Sequence, residues 1–252
     1  MPTEPWYLVF KPVPGARLTL YCLPCAGGGP SMFRDWAALL PPWIELRAVR
    51  LPGRPGRHRE APFTHVDQAV DALLSGLGPA LTGAYAFVGH SMGAMLAYRL
   101  TLALRSRGLP LPQVFAAASW PPRGAPNHVM PDPADGDAAF TAALRTLGGI
   151  PDELLADASM LRLALPLLRA DFALCRSYSY HPAAPLPMPV IAFGGDTDQV
   201  TPPAAVATWA GEAADYRGLH LFPGGHFFLN DHAAAVADLV VRATPQPSAN
   251  TA

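Results

Sequence analysis

Ser91 stands between two glycines in Gly89-His90-Ser91-Met92-Gly93, and His226 stands behind two more in Pro223-Gly224-Gly225-His226. These are the residues of the chain best suited to covalent chemistry together. A serine hydroxyl is a weak nucleophile near neutral pH, so it needs a base, and the base needs an acid to orient it. Downstream of Ser91, the stretch Phe193-Gly194-Gly195-Asp196-Thr197-Asp198 offers two carboxylates and Pro223–His226 offers an imidazole. The other histidines are poorer bases for this purpose: His220 falls inside an apolar strand, His232 opens the last helical pattern, and His90 adjoins the serine but points off its turn.

These side chains need elements to hold them. Short apolar stretches rich in β-formers and bounded by Gly or Pro at 18–23, 44–51, 85–88, 114–119, 190–194 and 219–222 read as buried strands. Apolar residues recur every three or four positions at 66–77, 92–105, 203–213 and 232–242, which predicts helices. Strand and helix in alternation imply a mostly parallel sheet with helices on both faces. Residues 127–181 hold no strand pattern and read as two or three helices inserted before the fifth of these later strands, a natural lid. Within them, 161–178 is apolar around most of its circumference, with Arg162, Arg169 and Arg176 as a polar stripe and Pro166 expected to kink it. The polar, proline-containing end, 243–252, is expected to fray.

Ser91 then falls where a strand turns sharply into a helix, the setting of a nucleophile elbow. Gly89 and Gly93 remove the β-carbons that would clash in such a turn. In this architecture the chain order is Ser, then acid, then His. Either Asp196 or Asp198 could reach His226; Asp198 lies deeper in the turn, ahead of Pro202, and is the better placed, which leaves Asp196 to tie the loop locally. Acyl transfer also needs N–H donors for the developing oxyanion. The loop Pro24-Cys25-Ala26-Gly27-Gly28-Gly29 suits the first, at Ala26, and the residue after the nucleophile, Met92, supplies the second.

Composition bounds the rest. A chain of 252 residues, 50% hydrophobic and 15% charged, fits one α/β domain, and a net charge of -1 gives no general attraction to nucleic acid. No apolar run approaches the roughly 18 residues of a membrane span, and residues 1–20 lack the pattern of a signal peptide, so a cytoplasmic location is expected. Cys22-Leu23-Pro24-Cys25 matches C-x-x-C, but its first cysteine belongs to a strand and its second precedes glycines, unlike a redox helix. No second C-x-x-C and no H-E-x-x-H makes a metal site, and no cofactor is implied.

Together, LPCAGGG, LPGRPGRHRE, VGHSMGA, the helical insertion, GGDTD and PGGHFFL resemble the type II thioesterases that accompany polyketide synthases and nonribosomal peptide synthetases. The resemblance runs from about Leu18 to Leu229. It implies an α/β-hydrolase fold with a helical lid and hydrolysis of aberrant acyl groups from the phosphopantetheine thiol of acyl or peptidyl carrier proteins. It also implies Ser91 as nucleophile, His226 as base, Asp198 as orienting acid, and Ala26 and Met92 as oxyanion donors. Cys25 departs from the family, which often has His or another residue there. A carboxylesterase of the same fold, or a silent hydrolase fold that binds carriers, are the alternatives. The chain is expected to act as a monomer. Arg50, Arg54, Arg57, His58 and Arg59 crowd one loop; a solvated loop with Glu60 paired locally is the plainer reading, and a docking patch for an acidic carrier protein or its phosphate the sharper one.

Overall fold

The computed structural model describes residues 6–125, 130–148 and 156–245. Among the described residues, seven strands form one sheet in the order β1-β3-β2-β4-β5-β6-β7: β1 Tyr7–Leu8, β2 Leu18–Leu23, β3 Ile44–Val49, β4 Tyr85–His90, β5 Phe115–Ala118, β6 Leu186–Gly195 and β7 Ala213–Phe222. β1 pairs antiparallel to β3, and every other pairing is parallel. The helices are α1 Trp36–Leu39, α2 Val66–Leu77, α3 Met92–Ser106, α4 Asp137–Leu147, α5 Ala158–Arg176, α6 Pro203–Val206 and α7 Ala233–Ala243. Alternate residues of β2 and β4 go to opposite faces: Tyr21, Tyr85 and Phe87 join the apolar layer of α2 and α3, while Leu20, Cys22, Ala86 and Val88 join that of α1 and α7. Burial on both faces is why these strands read as continuous apolar runs.

The expectations for β2 and α2 coincide with the structure residue for residue. The helix expected over 203–213 breaks instead into α6, a 3₁₀ turn at Ala207–Gly211, and the start of β7 at Ala213. β6 and β7 are each ten residues long, well beyond the four or five expected. The helix containing Pro166 runs unbroken from Ala158 to Arg176, with Pro166 on its exposed side. Its outer face is not buried: Met160 is 52% exposed and Leu163 83%. Arg169 and Arg176 instead bind Asp137 and Asp132, joining α5 to the segment before it. Of the inserted stretch expected over 127–181, residues 127–129 and 149–155 lie outside the described residues. Ala243 completes α7 and Thr244 is buried; residues 246–252 of the expected fraying end lie outside the described residues. Among the described residues, no helix is long and apolar enough to cross a membrane.

The sheet order places β2 beside β4, with β3 to one side of them and β5 to the other. This is the point at which the direction of winding reverses, and the loops leaving β2 and β4 diverge there to open a crevice at the carboxyl ends of the strands. Leu23 pairs with Gly89 across it.

Candidate active site

Ser91 sits between the end of β4 and the first residue of α3 with φ 53° and ψ -117°, a backbone conformation that few non-glycine residues adopt. Neighbouring backbones hold it there: Ser91 N–H donates to Ala118 O at 2.8 Å, and Ser91 O accepts from Ala94 and Met95 N–H. The flanking glycines are sterically required. A β-carbon on Gly93 would lie 2.1 Å from Leu23 O, and one on Gly89 would lie 2.4 Å from the backbone of Ala94. Ser91 is thus held at the turn, and α3 begins at Met92, so the first-turn N–H groups of the helix have no partner within it.

The loops after β6 and β7 meet over this serine. They can do so because Gly195 carries no side chain; a β-carbon there would lie 2.2 Å from Gly225 O. Ser91 Oγ and His226 Nε2 are 2.9 Å apart, and His226 Nδ1 and Asp198 Oδ2 are 2.9 Å apart. Asp198 is 1% exposed and His226 6%. With the carboxylate facing Nδ1, that nitrogen carries the ring proton and donates it to Asp198, while Nε2 accepts from the Ser91 hydroxyl. Asp198 also accepts from Val200 N–H, Thr201 N–H and the Thr201 hydroxyl, at 2.8, 3.0 and 2.6 Å. Burial raises its pKa, but the His226 and Thr201 hydrogen bonds outweigh that and hold the carboxyl at about 2, so it is ionised at neutral pH.

Asp196 is exposed, and its Oδ1 accepts from Gly224 N–H at 3.0 Å. It therefore ties the β6 loop to the β7 loop, not its own loop to itself as expected from local turn chemistry. Among the rival histidines, His220 lies in β7 and His232 precedes α7. His90 is fully buried, and its Nε2 lies 2.8 Å from the His226 carbonyl oxygen. Burial, with His226 nearby, depresses the His90 pKa to about 3, so its neutral ring donates to that carbonyl. The Ser119 hydroxyl donates to the same oxygen at 3.2 Å. Thr201 thus holds the acid, and His90 and Ser119 hold the backbone of His226; sequence reading missed all three roles. Only the adjacency of His90 to Ser91 hinted at one of them; nothing local marks Thr201 or Ser119.

Ser91 and His226 open on a narrow cavity of about 30 Å³, whose other walls include Cys25, Ala26, Trp120, Met130, Leu147, Phe172 and Cys175. Ala26, the expected first oxyanion donor, lies at its wall, and Met92 opens α3 beside Ser91. Cys22, Cys25 and Cys175 are free thiols, all buried, and burial pushes Cys25 up to about 12. A thiol so protonated at neutral pH is a poor nucleophile. Among the described residues, no three His, Cys, Asp or Glu side chains group as a metal site needs.

The arginine-rich loop keeps the expected local pairing with Glu60, but most of its charge is neither solvated nor displayed. Arg50, Arg54 and Arg57 are 5%, 2% and 5% exposed, so none of the three is solvated or offered to a partner. Arg57 does pair with Glu60, as expected, but it also donates to Arg50 O and lies over the Trp6 ring at 3.9 Å. Arg54 pairs with Asp171 of α5. Only His58 and Arg59 face outward.

Comparison with known proteins follows the same outline. The profile of a family described as "Thioesterase domain" matches residues 18–244. Gramicidin S biosynthesis protein GrsT of Aneurinibacillus migulanus is 34% identical over 229 residues, 89% of this chain and 88% of that protein. The type II thioesterase BorB from the borrelidin biosynthetic cluster has a similar structure, with a TM-score of 0.84, 31% identity, and coverage of 94% of this chain and 97% of that one. The RedJ thioesterase of the prodiginine pathway in Streptomyces coelicolor gives a TM-score of 0.80 at 33% identity, covering 96% and 89%.

Proposed function

The chain belongs to the thioesterase family, and from that premise we propose that it hydrolyses acyl groups from the phosphopantetheine thiol of acyl or peptidyl carrier proteins through an acyl-serine intermediate. The observation that carries the reading is the continuous Ser91–His226–Asp198 relay, two contacts of 2.9 Å, on a strained turn at the mouth of an apolar cavity. The relatives' names support the setting: gramicidin S biosynthesis for one, and a type II thioesterase of the borrelidin biosynthetic cluster for another.

Ser91 Oγ attacks the thioester carbonyl carbon while its proton passes to His226 Nε2. The resulting oxyanion lies between Ala26 N–H and Met92 N–H, and Asp198 stabilises the imidazolium. The carbon–sulfur bond breaks, the thiol departs with the proton from His226, and the acyl group remains on Ser91. Water then attacks the acyl-serine, giving its proton to His226, and the acid product leaves as the serine recovers its hydrogen. A thiol with a pKa near 8.5 is a good leaving group, so the relay by itself serves thioesters and oxyesters alike. The family supports the thioester. Trp120, Met130, Leu147 and Phe172 give an acyl chain an apolar wall, and α4 and α5, in the connection between β5 and β6, form its lid. Matched acyl-pantetheine thioester and oxyester substrates test the reading. A clear preference in kcat/KM for the thioester is expected, and a preference for the oxyester would make the protein a carboxylesterase.

A further inference from the structure

The Arg54–Asp171 pair lies outside the relay, yet it meets the loop that carries Ala26. Asp171, 1% exposed on α5, accepts Gly27 N–H on Oδ2 at 2.7 Å. Arg54 Nη1 reaches Asp171 Oδ1 at 3.0 Å and Nη2 reaches Oδ2, a two-pronged contact, while Arg54 Nε donates to Gly28 O at 3.0 Å. The turn itself closes when Gly28 N–H donates to Cys25 O at 3.0 Å, with Gly27 at φ 72°. The helix also packs on this turn, because a β-carbon on Gly27 would lie 2.5 Å from Leu168 Cδ2.

These contacts fix both peptide planes around Ala26. A trans peptide points its N–H opposite its carbonyl, so binding Cys25 O to Gly28 turns Ala26 N–H outward from the turn. The next plane is held by the Gly27–Asp171 bond, and the Gly28–Gly29 plane, two further on, by Arg54 on Gly28 O. Two of these three restraints end on the Asp171–Arg54 pair. An ionised pair costs desolvation, and burial pushes the Asp171 carboxyl up while Arg54 and Gly27 N–H draw it back. An apolar pair of similar size would seal α5 to the loop without that cost, but it could not hold a backbone N–H and a carbonyl in fixed directions.

We propose that Asp171, held by Arg54, is a positioning residue for catalysis: it orients the Cys25–Gly28 turn from the lid helix so that Ala26 N–H points at the oxyanion. This rests on the functional reading above. It makes the lid helix part of the oxyanion site, and a displacement of α5 would loosen transition-state binding directly.

The test uses the second-order rate at which an alkyl fluorophosphonate labels Ser91, followed by intact mass, alongside wild-type turnover of an acyl-pantetheine thioester. Phosphonylation needs the serine, the base and the oxyanion donors but no particular acyl group. Asp171→Ala is expected to label to full extent at a rate lowered at least about tenfold, since misplacing a donor forfeits part of the roughly 10²–10³ that one donor supplies. Asp171→Asn keeps an oxygen for Gly27 N–H and is expected to recover part of that rate; it decides the matter on the same criterion if the alanine variant does not fold. Arg169→Ala, which breaks the α5 ion pair to Asp137 away from the turn, is expected to stay within about twofold of wild type. Asp171 variants that label at the wild-type rate, or that lose labelled fraction without slowing, would show a purely structural pair and overturn the proposal. A wild-type protein that labels but leaves the thioester intact sinks the thioesterase reading alone, and the labelling rates still decide the role of Asp171. A wild type that does not label overturns both.

Discussion

Two loops at the carboxyl edge of the sheet bury charge, and they use it differently. The loop after β6 buries Asp198 beside His226, where four donors surround the carboxylate. The loop after β3 buries Arg54 and Arg57, whose partners are a lid-helix carboxylate, backbone carbonyls, Glu60 and the Trp6 ring. In the first loop the buried charge faces a group that must change its protonation state during a reaction. In the second, Arg54 and Arg57 each end on fixed partners. A buried charge therefore marks a reacting site only when one of its partners can titrate and is open to a cavity; otherwise it holds the frame.

The widest separation is expected within the first loop. Asp198→Asn should lower kcat by roughly 10⁴-fold with the fold intact, because the amide favours the wrong imidazole tautomer. Asp196→Asn, which still offers Gly224 N–H an oxygen, should cost no more than about twofold. Kinetics at saturating substrate, with melting curves on both proteins, measure the contrast; equal losses would erase it. In the second loop the order should invert. Arg57→Ala should lower stability by about 1–3 kcal/mol through the lost Arg50 carbonyl bond, ion pair and Trp6 contact, with kcat nearly unchanged. Urea melts and rates on the same preparation check this, and a catalytic loss larger than tenfold at unchanged stability would contradict it.

A smaller effect sharpens the role of His90. Its folded pKa, about 3, lies below the unfolded value near 6.5. Between those values the unfolded chain binds one more proton at this site, so its contribution to stability is lost as pH falls from about 6.5 toward 3, by up to about 1.4 kcal/mol per pH unit. His90→Gln keeps a donor for the His226 carbonyl and removes the titration. Its stability should fall less steeply over that window, and equal slopes in the two proteins would show that His90 is not held neutral.

Much of the frame and of the relay was legible in the sequence because their signals are local. The apolar period of 66–77 and the continuous apolar run of 18–23 mark α2 and β2 without outside help. The Ser91 turn announces itself through two glycines that its own neighbours require. Strand β1 was missed because two residues make no pattern, and its pairing with β3 is what defines it. The long β7 was missed because Ala213–Gly218 is only partly buried and shows no clean alternation, while Trp209 and Val206 ahead of it carry helical spacing. Arg54 was read as solvated because its carboxylate partner lies 117 residues later, in a helix expected to present an arginine stripe. Local sequence states which groups are polar; only the tertiary fold states which of them have partners.

The relay requires that Ser91 become acylated by a thioester under the drive of His226 and Asp198. Mixing the protein with an acyl-pantetheine thioester, quenching in acid and measuring intact mass tests it most directly. The wild type is expected to gain one acyl group, mapped to the peptide bearing Ser91, with release of one equivalent of thiol in the first turnover. Ser91→Ala should gain none and release thiol orders of magnitude more slowly than the wild type. Thiol release by Ser91→Ala at the wild-type rate, or an acyl group found on another residue, would contradict the account.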